Sequence, residues 1–413
     1  MVTNTKVSDI RWIYLVTFLD FFAVGLILPS MSMHLNKLGA SFSTIGAISS
    51  IYAATQLISG PLIGSWSDRI GRKNIFIVSC LIIGVCYTLF GMVESIFLML
   101  ILRVTIGVFK HSQVMIQALI TDLYPKENQS VMFGNLKSIT GLSFALGPLI
   151  AGHMTEIEDG FILTCFISGI LFIINAVIAH YCFGDKLICR ESKTPEETKK
   201  NGKPKKLPFK KFNEVISSLG EINWRVFGNA FALKFMAEVA AIAFYANYNV
   251  RIKRRFGISP KIAGYTIAYQ SFIGITTGIL IGRIKTKFYK EDIWYKKRNL
   301  HAFTMMTVSF ICTYFSTYFF LYMVSTTFFK IADMILRVTL TEMIVEKASA
   351  TNQGSIAGST ESVGSLARMI APLSTGIVED ICGINSANLL SAAVSLCGVY
   401  ICSKISTRRS ERN

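Results

Sequence analysis

Gly64-Ser65-Trp66-Ser67-Asp68-Arg69-Ile70-Gly71-Arg72-Lys73 separates two long apolar stretches, and its make-up decides how the rest of the chain is read. One acid and three bases, set between glycines, make a linker more regular than a solvent-exposed turn requires. The flanking runs, 43–65 and 74–92, each approach the ~20 residues that an α-helix needs to cross a bilayer. Working outward, such runs recur at 11–35, 96–119, 131–153 and 160–183, then at 223–247, 259–282, 300–315, 317–344, 354–378 and 383–403. Twelve spans are predicted, the ninth and tenth with almost nothing between them.

Composition agrees with this reading. Of 413 residues, 52% are hydrophobic and 16% charged, where a water-soluble domain would need far more charge to cover its surface. The net charge of +17 does not point to nucleic acid, because of where the bases fall. With the N-terminus inside, the predicted cytoplasmic segments hold 28 of the 42 Lys and Arg, the external loops hold 6, and 8 lie in spans or at their ends. This bias follows the positive-inside rule and places both termini in the cytoplasm, against an anionic inner leaflet. One segment departs from the rule: Arg251, Lys253, Arg254 and Arg255 follow the seventh span, on the nominally outer side.

The nine cysteines suggest no disulfide framework, since only Cys382 falls in an external loop. The first apolar run is too long for a cleavable signal and reads as the first span. No nucleophile–base or metal-ligand constellation lies in the spans, so neither an enzyme nor a bound metal or cofactor is expected. The polar segment 184–222 carries ten bases, six acids and Pro195, Pro204 and Pro208, the composition of a flexible cytoplasmic linker. It divides the chain into 1–183 and 223–413, six spans each, the second with a short basic tail.

The pattern Gly-x-x-x-Asp-Arg-x-Gly-Arg-Lys between the second and third spans resembles the signature loop of the major facilitator superfamily. That resemblance implies an all-α polytopic membrane protein of twelve helices in two pseudo-symmetric six-helix bundles, with a solute site near the midplane between the halves. It implies a gating loop at Gly64, Asp68, Arg69, Gly71 and Arg72, with Asp68 meeting the start of the eleventh span near Gly354. A carboxylate at a helix N-terminus gains ~0.3–1 kcal/mol. The matching loop of the second half, Gly282 to Arg298, is basic but has no acid in the equivalent place, so a one-sided latch is expected.

In the fifth span, Gly141, Gly147, Pro148 and Gly152 allow close helix approach and a kink. Their spacing resembles the antiporter motif of the drug:proton exchangers in the superfamily; a packing face is the plainer reading. Gly364, Ser365, Arg368, Pro372 and Gly376 echo it in the eleventh span.

Asp20 is an acid inside the first span, where it costs several kcal/mol unless paired or facing water. Its surroundings, Leu19 to Pro29, resemble the first helix of tetracycline-type proton antiporters, where the equivalent acid serves transport. A structural ion pair is the alternative. Arg103, in Arg103-Val-Thr-Ile-Gly107 of the fourth span, is its expected partner and modulator. Lys110, His111, Gln113 and Gln117 follow in the same span as candidate solute contacts, with Lys234, Glu238, Asp333, Arg337 and Arg368 from the second half. Lys330 and Glu361 complete the mid-span charges, six bases against four acids, an excess that favours an anionic solute.

Gly107-Val-Phe-Lys110-His111, Thr121-Asp122-Leu-Tyr-Pro125, Thr155-Glu-Ile-Glu-Asp-Gly160 and Phe256-Gly-Ile-Ser-Pro260 carry a finer resemblance, to the orphan branch of the superfamily grouped as domain-containing protein 9. The expectation is a monomeric secondary transporter of a small organic solute, coupled to protons, in the plasma or an endolysosomal membrane. The rival is a receptor or scaffold that keeps the fold and carries nothing.

Overall fold

The computed structural model describes residues 3–183, 224–290, 292, 295–347 and 353–405. The linker expected at 184–222 lies outside them. Fourteen helices make up the described regular structure: α1 (Thr3–Lys37), α2 (Phe42–Ile70), α3 (Arg72–Met92), α4 (Ile96–Phe109), α5 (Ser112–Leu123), α6 (Lys126–Met154), α7 (Gly160–Cys182), α8 (Trp224–Tyr245), α9 (Tyr248–Phe256), α10 (Pro260–Phe288), α11 (Lys296–Phe315), α12 (Phe319–Lys347), α13 (Gln353–Cys382) and α14 (Ser386–Lys404). Two of the predicted spans are interrupted. The fourth is α4 and α5, parted at Lys110-His111, and the seventh ends at α8, with α9 continuing after a break at Ala246-Asn247.

Eight segments among the described residues are long and apolar enough to cross a membrane on length and composition, from Ile10–Lys37 to Ser386–Lys404. The expected boundary between the ninth and tenth spans falls at Ser316, which ends α11 in an extended conformation.

Described residues 3–34, 55–183 and 260–268 form one compact unit, and 35–54, 224–259 and 269–405 form another. In the first, helices meet where side chains are smallest. A Cβ on Gly91 of α3 would stand 2.7 Å from Cys165 Cβ of α7, and one on Gly147 of α6 would stand 2.8 Å from Gly25 Cα of α1. Without a hydrophobic drive between helices in lipid, such close approach supplies the packing energy. In the second unit, Phe244, Phe310 and Phe329 stack with ring centroids 4.7–5.5 Å apart. Thr307 of α11 and Ser395 of α14 share a buried hydrogen bond of 2.8 Å. The start of α2 is capped there by Asp380 of α13, whose two oxygens accept from the Phe42 and Ser43 amides at 3.0 and 2.8 Å.

The basic segment that broke the charge rule is α9. Asn247 adopts the left-handed conformation (φ 52°) that turns the chain into it, a geometry asparagine tolerates better than most residues. Arg251 is fully buried and donates to Glu379 Oε1 at 2.9 Å, while Asn247 donates to Glu379 Oε2 at 2.7 Å. Arg255 donates to the Thr313 and Tyr314 carbonyls at 2.7 Å each, and to that of Ser316, satisfying the free C-terminal end of α11. Arg254 lies 4.9 Å over the Phe42 ring and donates to Asn36 Oδ1 at 3.0 Å. Three of the four bases, Arg251, Arg254 and Arg255, are thus held by groups of the protein itself, although Arg254 and Lys253 remain exposed.

Candidate functional site

The break in the fourth span builds the site. α4 ends at Phe109, and Lys110 (φ −79°, ψ 70°) and His111 (φ −120°, ψ 20°) leave the helical path before α5 begins. Neither glycine nor proline causes this. Side chains of α2 take up the freed groups: Gln56 Nε2 donates to the Lys110 carbonyl at 2.6 Å, and Ser59 Oγ donates to that of Gly107 at 3.3 Å. Broken helices are stable at membrane depth only with such replacement bonds. His111 is buried with its Nε2 2.8 Å from Ser59 Oγ, so it belongs to the same repair.

Released from the helix, Lys110 reaches Asp20. Its ammonium donates to Asp20 Oδ2 and, at 2.9 Å, to Ser112 Oγ, which in turn donates to Asp20 Oδ2 at 2.9 Å. Asp20 is 1% exposed and Lys110 7%, with the Phe172 and Phe21 rings 5.0 and 5.5 Å from Nζ. The expected pairing with Arg103 is corrected here. Arg103 is buried two turns earlier on α4, but the hydrogen bonds to the carboxylate come from Lys110 and Ser112. The reason is the break itself, which frees Lys110 from the helical face it would share with Arg103. Asp20 Oδ1 accepts no hydrogen bond among the described residues, an omission that costs ~1–3 kcal/mol in a buried site.

The second unit holds a more open cluster. Asp333 of α12 accepts from Lys330 at 3.0 Å and from Arg337 at 2.9 Å on its own helix. Glu238 of α8 lies 3.7 Å from both Lys234 and Arg337, and Arg337 is 47% exposed. Tyr245 and Gln270, which the sequence did not single out, extend it: Tyr245 donates to Gln270 Oε1 at 2.7 Å, and its ring lies 5.5 Å from Lys330 Nζ. Arg368 is exposed and donates to Ser365 on its own helix at 2.9 Å. Gln113 and Gln117 of α5 line a small cavity in the first unit.

The decapeptide is less of a linker than expected. α2 runs through Ile70 and α3 starts at Arg72, so Gly71 alone is non-helical, at φ 103° where glycine is favoured. Its three bases take three roles. Arg69 is exposed; Arg72 donates to Asp122 Oδ2 of α5 at 2.5 Å and lies 3.4 Å from Asp68; Lys73 is buried and donates to the Phe183 carbonyl at 2.7 Å, closing the end of α7. The side chains of residues 353–355, where Asp68 was expected to meet α13, lie outside the described residues. Gly64, Asp68, Arg72 and His111 line a cavity of about 510 Å³, so the loop and the helix break share one space.

The second loop does hold an acid, but not in the place equivalent to Asp68. Asp292 is buried and accepts from the Lys297 and Arg298 amides at 3.1 and 2.8 Å, capping α11. Arg298 lies between Asp292 (3.4 Å) and Glu342 of α12 (3.3 Å), and Lys296 donates to the Ile405 carbonyl at 2.6 Å. Just outside the spans, burial, and then the Glu346 carboxylate it donates to, push the Tyr295 phenol up to about 12. In the fifth-span motif, Gly147 and Gly152 are close-approach positions. A Cβ on Gly152 would stand 2.9 Å from the Pro260 carbonyl, whereas Gly141 has nothing within 4 Å. Pro148 lies inside α6, as the motif requires.

Comparison with known proteins fits this geometry. The sequence profile of the Major Facilitator Superfamily matches residues 13–408. The chain is 25% identical over 395 residues to Quinolone resistance protein NorA of Staphylococcus aureus (strain MSSA476), covering 94% of each chain. It is 25% identical over 367 residues to Multidrug resistance protein 2 of Bacillus subtilis (strain 168), covering 88% of this chain and 87% of that one. A bacterial homologue of the human lysosomal transporter Spinster, in an inward-facing and unoccupied conformation, superposes with a TM-score of 0.75 at 14% identity, covering 98% and 96% of the two chains; this likeness shows the fold. With a profile match over nearly its whole length, the chain belongs to the Major Facilitator Superfamily and is a multi-pass secondary transporter.

Proposed function

We propose that the chain exchanges a small organic solute for protons by alternating access, and that Asp20 is the coupling acid. The observation that carries this is the sealed set of Asp20, Lys110 and Ser112 at the break of the fourth span. A buried ion pair is a weak source of stability, because the desolvation of both charges offsets their attraction. It is a good switch. A proton on the open Oδ1 neutralises the carboxylate, and Lys110, already off the helix, loses its reason to stay. Lys110 thereby takes the modulating role expected of Arg103. Relatives named for resistance to quinolones and to multiple drugs support an organic solute and an antiporter.

The same reading keeps both termini in the cytoplasm, anionic lipid against the basic inner segments, a monomer, and six-helix halves on either side of 184–222. Its place near the domain-containing protein 9 branch rests on the four short motifs quoted above. The test is flux in reconstituted vesicles under an imposed pH gradient. Asp20→Asn is expected to abolish gradient-driven flux while solute–solute exchange continues. Because it also strands a buried Lys110, the double variant Asp20→Asn with Lys110→Met serves as the folded control. Gradient-driven flux persisting in the double variant removes Asp20 from the coupling, and no flux of any solute by the wild type favours a receptor or scaffold.

A further inference from the structure

One cavity in the first unit collects three polar side chains with no protein partner among the described residues, two of them, Gln113 and Lys137, exposed. It holds about 100 Å³ and is lined by Gln113 and Gln117 of α5, Lys137 of α6, and the rings of Phe21 and Phe133. The spacing of Gln113 and Gln117, one turn apart, puts both on one face of α5. None of these three polar side chains makes a hydrogen bond or ion pair among the described residues. Thr17 also borders the cavity, but its hydroxyl is already given to the Ile13 carbonyl at 2.7 Å.

Lys137 lies six residues, about 9 Å by helical rise, inside the span expected at 131–153, and its side chain is exposed. Lysines within a span are normally paired or turned to a water-filled space. Asp20, on the helix that supplies Phe21, is already committed to Lys110 and Ser112. Lys137 therefore presents a positive charge with no internal acid, beside two carboxamides that can each donate and accept. Aromatic walls flank them. Phe21 borders this cavity and lies 5.5 Å from Lys110 Nζ, so the cavity and the coupling pair share a wall.

We propose that this cavity is the anion subsite of the transporter: it takes the carboxylate or similar acidic end of an aromatic organic anion on Lys137, with Gln113 and Gln117 on its polar substituents and Phe21 and Phe133 on its ring. Its volume is below the ~300–1,000 Å³ of a pocket that encloses a drug-sized ligand, so it holds the charged end of a larger solute. The proposal rests on the transporter reading above and names its solute class.

Binding of 2-naphthoate and of neutral 2-naphthamide to the purified full chain tests it, with flux of both in vesicles under a pH gradient measured separately. Wild type is expected to prefer naphthoate. Lys137→Gln is expected to lose about tenfold in naphthoate affinity, the worth of one hydrogen bond to a charged group, with naphthamide unmoved. Lys137→Arg is expected to retain the preference, which a merely structural loss would not. Naphthoate binding equal in Lys137→Gln and wild type overturns the subsite, as does a wild type that binds no naphthoate. Flux of other solutes without any preference for the anion also overturns it and leaves the transporter standing. Selective, Lys137-dependent binding without flux supports the subsite and sinks the transporter reading.

Discussion

The loops that follow α2 and α10 make the same contacts from different sequences. In each, an arginine at the start of the next helix sits between two acids, Arg72 between Asp68 and Asp122, Arg298 between Asp292 and Glu342. In each, a neighbouring lysine closes the end of a distant helix, Lys73 on Phe183 and Lys296 on Ile405. What differs is the loop acid. Asp292 spends both oxygens on the start of α11 and is nearly sealed. Asp68 sits on the last turns of α2, with a half-exposed side chain 3.4 Å from Arg72. The second loop uses its carboxylate as a buried cap of the helix that follows, whereas the first carries its carboxylate half-exposed on the end of the helix before it.

The sharpest way to break this comparison is to remove both acids in turn. Asp292→Ala leaves the buried Arg298 with Glu342 alone and uncaps α11, so it is expected to cost ~2–4 kcal/mol in thermal unfolding of the purified protein, from a lost cap and a lost charged hydrogen bond. Asp68→Ala is expected to cost under ~1 kcal/mol, because exposed pairs contribute little. Equal losses would mean the two acids do the same job. Next in size, Lys73→Met and Lys296→Met should each cost ~1–3 kcal/mol, since each removes a charged donor from a helix-end carbonyl. A loss confined to one of them would show that the closures are not equivalent.

Smallest in stability, Asp68→Asn is expected to leave the melting temperature within error while lowering solute flux in vesicles. Unchanged flux would take Asp68 out of gating. Salt offers a finer cut. Raising ionic strength towards 1 M shortens the screening length to ~3 Å, and is expected to erase the small stability difference between wild type and Asp68→Ala. The Asp292→Ala difference should survive it.

Residue patterns alone carried the apolar helices and the mid-span acid, because hydropathy and the cost of a buried charge are local properties. The partner of Asp20 was not legible. Lys110-His111 carries no glycine or proline, and the helix breaks there because Gln56 and Ser59, some 50 residues earlier, supply replacement bonds. Asp292 was passed over because its spacing from the loop glycine does not match that of Asp68; capping geometry, which sets its role, depends on where α11 starts. Lys137 disappeared into the general basic excess. Only the fold shows that it lines one cavity with Gln113 and Gln117, with no acid among the described lining residues.

The buried Arg251 has a consequence for how the chain is made. Its partner Glu379 comes 128 residues later, and the carbonyls that hold Arg255 come 58 to 61 residues later. At ~5–20 residues per second, α9 waits roughly 6 to 26 seconds of synthesis before Arg251 has its counter-charge. In the orientation proposed above, four bases stand during that interval on the face that the positive-inside rule disfavours. Arg251 is therefore paired only once α13 has emerged, and a chain ended short of residue 379 lacks its counter-charge.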